Sequence, residues 1–269
     1  MAEIRPIRTE EIPLLKDFAP PDWNNDTSAL FAFHFGMDYF HPLVAELDGK
    51  VVGCAEGIVN GNAGWLGNII VLAEARRQGI GQALTARLVE LFHAHGCAHQ
   101  ILIATQMGEP VYARLGFRVS SHYIFLKRAT PSAPKPASGV RPFVPGDAAR
   151  LFALDRRISS EDRRPLLERF LVDAHVHAAA SGALDGFFLP GLGNGLVLAE
   201  NAPAGLALLQ FKLGQGITSL VVPEGNTAAL NFLFDQGFLE TARAPRMALG
   251  PDVDWQPACV YSRGAGYCG

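Results

Sequence analysis

Short apolar blocks separated by turn residues run through the first half of the chain. Leu43-Val44-Ala45-Glu46-Leu47 and Lys50-Val51-Val52-Gly53-Cys54-Ala55 flank Asp48-Gly49, and Asp-Gly between two apolar runs predicts a hairpin. The run from Trp65 to Leu72, ending in β-branched residues, predicts another strand. Leu84, Leu88, Leu91 and Phe92 then fall on one face of a helix that Gly96 stops. Ile101-Leu102-Ile103-Ala104 reads as a buried strand. A helix follows that carries Tyr112 and is closed by Gly116-Phe117, with the glycine suited to the left-handed position past a helix end.

The pattern then repeats. Ile4-Arg5-Pro6-Ile7, an acidic stretch and Ile12, Leu14 and Leu15 correspond to Val140-Arg141-Pro142-Phe143 followed by Asp147, Ala148, Leu151 and Phe152. Tyr112-Ala113-Arg114-Leu115-Gly116-Phe117 corresponds to Leu233-Phe234-Asp235-Gln236-Gly237-Phe238. Between the copies, Thr130-Pro131-Ser132-Ala133-Pro134-Lys135-Pro136-Ala137-Ser138-Gly139 reads as a stiff, extended linker. The expected organisation is a domain over residues 1–130, a linker over 131–139 and a second copy of the same α/β fold over 140–269.

Composition narrows the chemistry. With 49% hydrophobic and 18% charged residues in 269, the chain has material for two buried cores. A net charge of −3 supplies no cationic excess to neutralise a phosphate backbone, which argues against nucleic acid as the main partner. No run approaches the roughly twenty apolar residues that cross a bilayer, and the start lacks the basic and apolar blocks of a secretory signal. Cys54, Cys97, Cys259 and Cys268 are scattered, which fits a reducing cytoplasm better than a disulfide framework. His93 and His95, and His175 and His177, keep no ligand spacing with a carboxylate or cysteine, so no metal site is expected.

One motif carries chemistry. Arg76-Arg77-Gln78-Gly79-Ile80-Gly81-Gln82-Ala83-Leu84 lies between a strand and an amphipathic helix. Two glycines allow a tight turn and close backbone approach. The helix start offers unpaired N–H groups and a positive dipole end, a site suited to a pyrophosphate. Gln82-Ala83 stands where a nucleoside-triphosphate loop needs Lys and Ser or Thr, and Leu84 stands at the third glycine of a dinucleotide loop, which disfavours both.

Arg76-x-x-Gly79-x-Gly81 resembles the signature of the GNAT superfamily of N-acetyltransferases. Asn68-Ile69-Ile70-Val71-Leu72-Ala73-Glu74 resembles that family's fourth strand and its exit, with Ala73 in place of the usual proline, and Val111 to Phe117 resembles its tyrosine-bearing helix end. The second half resembles the same fold but lacks the glycine loop, having Asn201-Ala202-Pro203-Ala204-Gly205-Leu206 in its place, and keeps Asn226-x-x-Ala229. The resemblance implies a tandem fold in which a mixed, mostly antiparallel sheet flanked by helices occurs twice, the second copy degenerate. It implies an acyltransferase that binds acetyl-CoA and acetylates a primary amine of a small-molecule or amino-acid-like acceptor.

The resemblance also implies roles. Ile69, Ile70 and Val71, with Arg76, Arg77, Gln78, Gly79, Ile80, Gly81, Gln82, Ala83 and Tyr112, would hold the cofactor. A bulge in the strand of Ile69–Val71 would supply the oxyanion donor. Tyr112, protonated at neutral pH, would protonate the leaving thiolate, whereas Leu233 in the second copy has no proton to give. For the general base, Glu56 after the strand Val51–Ala55 leads over Asp26, Asp38 and Glu46. Phe31, Phe33, Phe35, Tyr39 and Phe40 mostly read as core, although Trp23, His34 or Asp38 are candidates for an acceptor pocket. The expected state is a monomer or homodimer. Two other readings remain open: a CoA-binding sensor or scaffold without turnover, and acetylation of protein lysines or N-termini.

Overall fold

A computed structural model describes residues 2–20, 23, 26–131, 137–179 and 182–268. The chain forms two compact units, Met1–Arg118 with Met247–Pro251, and Val119–Arg246 with Asp252–Gly269.

In the first unit, strand β1 (Glu3–Pro6) leads through a 3₁₀ turn to helix α1 (Thr27–His34). Strands β2 (Phe40–Leu47), β3 (Lys50–Asn60) and β4 (Ala63–Val71) form an antiparallel meander with β1 on the outer edge of β2. The β2–β3 turn is the expected hairpin: Leu47 pairs with Lys50, and Asp48 and Gly49 both have positive φ, at 51° and 75°. Helix α2 (Ile80–Ala94) returns across the sheet to β5 (His99–Ile103), which runs parallel to β4, and helix α3 (Glu109–Arg114) follows. Leu84, Leu88 and Phe92 are fully buried on α2, as their spacing requires. The Phe92 ring lies directly on Gly64, where an added Cβ would be 2.5 Å from it. This contact clamps α2 against β4 and so fixes where the helix begins. Met247–Leu249 joins this unit beside β5, and the His99 imidazole Nδ1–H donates to the Pro251 carbonyl at 2.8 Å.

The second unit contains β6 (Arg118–Lys127), β7 (Val140–Pro142), α4 (Ala148–Ser159), α5 (Arg164–Leu167), β8 (His175–Ala178), β9 (Leu184–Leu189), β10 (Leu196–Ala199), α6 (Ala202–Leu213), β11 (Ser219–Pro223), α7 (Thr227–Asp235), β12 (Leu239–Leu249) and β13 (Val260–Ser262). Strands β7, β8, β9, β10 and β13 form one sheet in that order, and β6 lies between β12 and β11.

The repeat extends to individual side chains. The Arg5 guanidinium grips Glu11 through two bonds of 2.8 and 2.6 Å, and Glu11 also accepts from the Arg8 N–H at 2.9 Å. The Arg141 guanidinium grips Asp147 through bonds of 2.7 and 2.8 Å, and Asp147 accepts from the Val144 N–H at 2.9 Å. In both units the arginine holds the carboxyl below its ordinary range. Gly116 and Gly237 have φ of 91° and 81°, as expected for residues that close a helix.

The division of the chain differs from the boundary expected at residue 130. β6 belongs almost entirely to the second unit because Tyr123–Lys127 pairs antiparallel with β11, while the end of β12 belongs to the first. Residues 132–136 of the expected linker lie outside the described residues.

Candidate active site

The sheet of the first unit opens where its two parallel strands part. β4 pairs with β5 only from Ala63 to Leu66, although it continues to Val71. Just past this point β4 carries a bulge. Cys54 pairs with Ile70 and Glu56 with Gly67, so Ala55 alone faces both Asn68 and Ile69. Asn68 has φ of 43°, a left-handed conformation that asparagine tolerates better than most residues. Extra residues of this kind break the ladder locally and re-aim the backbone. The bulge thus involves Ile69, one of the expected residues, and adds Asn68. A lone asparagine in an apolar strand is the sequence signal that pointed to it.

The loop after β4 is built as its glycines suggest. Gly79 is left-handed, with φ of 78°, and sits at the start of α2, where no side chain caps the helix. Arg77 is also left-handed, with φ of 62°, a conformation that costs a non-glycine residue about 1 kcal/mol and that clusters at functional loops. Arg76, Arg77, Gln78 and Gly79 are exposed, as are Gln82 and Ala83, and Arg76 Nε donates to the Val71 carbonyl at 3.0 Å. The Ile80 side chain is buried in the core, so what it presents to a ligand is its backbone N–H. A Cβ at Gly79 would meet nothing within 4 Å, and one at Gly81 only Val71 Cγ2 at 3.8 Å. The helix start is therefore uncapped, bordered by two arginines and sterically open.

Tyr112 lies on α3, against the hydrophobic core that includes Leu84, Leu88 and Phe117. Its ring packs over Gly108, where a Cβ would be 2.8 Å away, and stands edge-on to Phe117 at 6.3 Å. Burial pushes the phenol up to about 12, so it keeps its proton throughout the physiological range. Tyr112 Oη makes no hydrogen bond among the described residues.

Glu56 differs from its expected placement. It lies inside β3 rather than after a strand, and it is fully buried. Asn68 Nδ2 donates to Glu56 Oε1 at 2.8 Å, while Oε2 has no hydrogen-bond partner among the described residues. The carboxyl thus braces the bulge from beneath. Gly67 makes room for it, since a Cβ there would be 2.5 Å from Oε1. Burial raises the Glu56 carboxyl to about 8, against a smaller opposing effect of Asn68. The other three candidates are placed differently. Asp26 caps α1, accepting from the Ala29 N–H at 3.0 Å and the Ser28 hydroxyl at 2.7 Å, and these bonds lower its pKa. Glu46 is ion-paired to Arg5, and Asp38 is exposed.

The raised pKa has a consequence for stability. Below about pH 4.5 Glu56 is protonated both folded and unfolded. Between there and pH 8 only the unfolded chain releases the proton, so folding stability falls by about 1.4 kcal/mol per pH unit from this group. Glu56→Gln keeps an acceptor for Asn68 and removes the titration. Urea midpoints measured from pH 5 to 8.5 should show the variant gaining steadily on the parent protein, and a constant difference would contradict the raised carboxyl.

Most of the aromatic cluster is core. Phe31, Tyr39 and Phe40 are buried, Phe31 and Phe40 meet edge to face at 5.5 Å, and the buried His34 bonds Tyr39 Oη through Nδ1 at 2.9 Å. Phe33 and Trp23 are exposed. Cys54 and Cys97 are buried and their thiols are pushed up by burial, which makes them small apolar groups and not nucleophiles.

The corresponding place in the second unit is filled by the chain itself. Asn201 caps α6, its side chain accepting from the Ala204 N–H at 3.0 Å. The Tyr261 ring lies flat on Gly205, so close that a Cβ there would be 2.1 Å from it. β13 pairs antiparallel with β10, and the Arg263 N–H donates to the Val221 carbonyl on β11 at 2.8 Å. Asn226 Nδ2 donates to the Val260 carbonyl at 3.0 Å, and the buried Lys212 ammonium donates to Ser262 Oγ at 2.7 Å. The tail strand therefore seals the gap between β10 and β11. Leu233, at the position of Tyr112, is fully buried.

A bulged strand diverging from a parallel neighbour, with an open glycine loop at the start of the following helix, defines an acyl-CoA N-acyltransferase fold in the first unit, and the second unit repeats the fold without the open loop. Residues 9–117 match the model of the acetyltransferase (GNAT) family. Among solved structures, a Pyrococcus horikoshii protein assigned as an acetyltransferase is similar over 100% of this chain and 96% of its own, with 20% identity and a TM-score of 0.83. A GCN5-related N-acetyltransferase from Sphaerobacter thermophilus is similar over 95% and 98%, with 16% identity and a TM-score of 0.64. A tandem GNAT protein from the clavulanic acid biosynthesis pathway is similar over 94% and 100%, with 16% identity and a TM-score of 0.55. At these identities the likeness is one of fold, and it covers both units. No curated protein matches the sequence. Among the described residues no helix is long and apolar enough to cross a membrane.

Proposed function

We propose that this protein transfers an acetyl group from acetyl-CoA to a primary amine of a small-molecule or amino-acid-like acceptor, at one site in the first unit. The observation that carries this reading is the contrast between the copies. The first keeps an uncapped, open helix start and a phenol, whereas the second has its helix capped by Asn201, its gap sealed by β13 and a leucine at the phenol's place.

The residues fit the cofactor. The backbone N–H groups of Gly79 to Ala83 suit a pyrophosphate, because no side chain among the described residues caps the helix start, and Arg76 and Arg77 add positive charge at its rim. Acetyl-CoA, when bound, supplies the acetyl group as an activated thioester. The bulge at Asn68–Ile69, beside Ile70 and Val71, interrupts the β3–β4 ladder, and a backbone N–H released there serves as the oxyanion donor. Tyr112 Oη, neutral and without a hydrogen-bond partner among the described residues, donates a proton to the sulfur leaving group. Glu56 accepts the amine's proton. It lies beside the bulge, and burial raises its carboxyl toward neutrality, where a general base works best.

Thiol release from acetyl-CoA in the presence of a panel of small amines and amino acids tests the reading. Release should rise above the amine-free rate for at least one acceptor, and with Glu56→Gln the rising limb of kcat/KM near pH 8 should disappear. CoA binding without release for any amine would leave a binding protein in its place.

A further inference from the structure

The second unit buries several cationic side chains. Three arginines, Arg163, Arg246 and Arg263, are at most 8% exposed. Arg163 has its counter-ion, with Nη2 and Nε donating to Asp155 at 2.5 and 3.1 Å. Arg246 donates from Nη1 to Ser120 Oγ at 3.1 Å, lies over the Trp255 ring at 4.2 Å and feels the charge of the buried Glu161.

Arg263 has no such partner. It forms no ion pair among the described residues, and its Nε is buried without a hydrogen bond. The ionisable groups that act on it are Tyr123 and Cys268, neither of them a carboxylate. Its guanidinium carbon stands 5.6 Å from the Tyr123 ring centre and 5.5 Å from that of Phe125. Tyr123 Oη is itself buried. Both rings project from β6, paired there with β11, and the Arg263 backbone is tied to Val221 of β11 at 2.8 Å. The arginine is thus held in a defined place over two aromatic side chains.

A cation removed from water without a counter-ion costs several kcal/mol, and two ring contacts return only part of that. Such a cost persists where an anion repays it on binding. A guanidinium fork matches the two oxygens of a carboxylate, and the aromatic surroundings suit an apolar body attached to it. From this geometry we infer that Arg263, with Tyr123 and Phe125, forms a binding site in the second unit for a small organic carboxylate. The site adjoins the end of β13 and does not depend on the acyltransfer reading, because it is tested by binding alone.

The full-length protein and its Arg263→Met and Arg263→Lys variants would be heated with propionate, benzoate or inorganic phosphate at constant ionic strength, without acetyl-CoA. In the parent protein benzoate or propionate should raise the unfolding temperature saturably, and calorimetric titration should show the same affinity. Arg263→Met should melt no lower than the parent without ligand, because it removes an unpaired buried charge, and should lose the carboxylate response. Arg263→Lys should bind at least tenfold more weakly, lacking the fork. A response to phosphate alone, no saturable response in the parent, or an undiminished response in Arg263→Met would each overturn the proposal.

Discussion

Gly81→Asp should weaken acetyl-CoA binding about a thousandfold and leave the protein folded. The structure has room for the new side chain, since a Cβ at Gly81 would touch only Val71 Cγ2, at 3.8 Å. Gly81 also has ordinary negative φ, and an aspartate in the first turn of α2 suits the positive end of the helix. Stability should therefore be unchanged or slightly higher. The carboxylate would lie where the pyrophosphate is proposed to bind. Two unit charges about 4 Å apart repel by about 4 kcal/mol at the effective dielectric of a protein surface, which corresponds to a loss of roughly a thousandfold in affinity. Titration calorimetry with CoA and a thermal melt decide the matter together. A retained melt with a dissociation constant within threefold of the parent would remove the loop from the site. Gly81→Ala, which adds volume but no charge, should lose far less.

Tyr112→Phe should reduce kcat about a hundredfold or more, the range expected when a general acid is removed. The affinity for acetyl-CoA should change by no more than about threefold. The ring contacts with Gly108 and Phe117 survive the substitution. The lost hydroxyl makes no hydrogen bond among the described residues, so the melting temperature should hold. Pre-steady-state measurement of acetyl transfer separates this loss from slow product release, and an unaltered transfer rate would end the acid role. In the second unit Leu233, at the same place, is fully buried.

Two features tie these predictions to the fold. The loop is positioned by α2, which is pressed onto β4 through Phe92 and Gly64. The bulge is braced by Glu56, which fits only because residue 67 is glycine. Substitutions at Gly64 or Gly67 would act on the site without touching a ligand.

Much of this organisation was legible in the sequence. Asp48-Gly49 between two apolar runs specifies its own turn. The spacing of Leu84, Leu88 and Phe92 specifies the buried face of α2, and Arg76-x-x-Gly79-x-Gly81 marks the glycine loop that opens it. The repeat could be read as well, because each copy begins with a strand arginine followed six residues later by a carboxylate. These features are local, set by periodicity, turn stereochemistry and helix ends within a few residues.

Tertiary structure decided the remainder. The bulge at Asn68 exists because β3 and β4 fall out of register by one residue, a relation between strands that neither strand specifies alone. In the sequence Glu56 reads as a general-base candidate that follows a strand. Its enclosure by β3, β4 and Asn68 desolvates it and raises it to about 8. The unit boundary moved from the proline-rich segment because β6 found its hydrogen-bonding partner in β11, about ninety residues further along the chain. The tail strand became a seal, and Arg263 a buried cation without a counter-ion, through neighbours equally remote in sequence. Burial and strand register depend on which distant segments meet, and the free energy of a charge depends on what surrounds it in space. The sequence by itself therefore determined the elements and the loop, and only the folded chain decided the proton affinities, the bulge and the closing of the second copy.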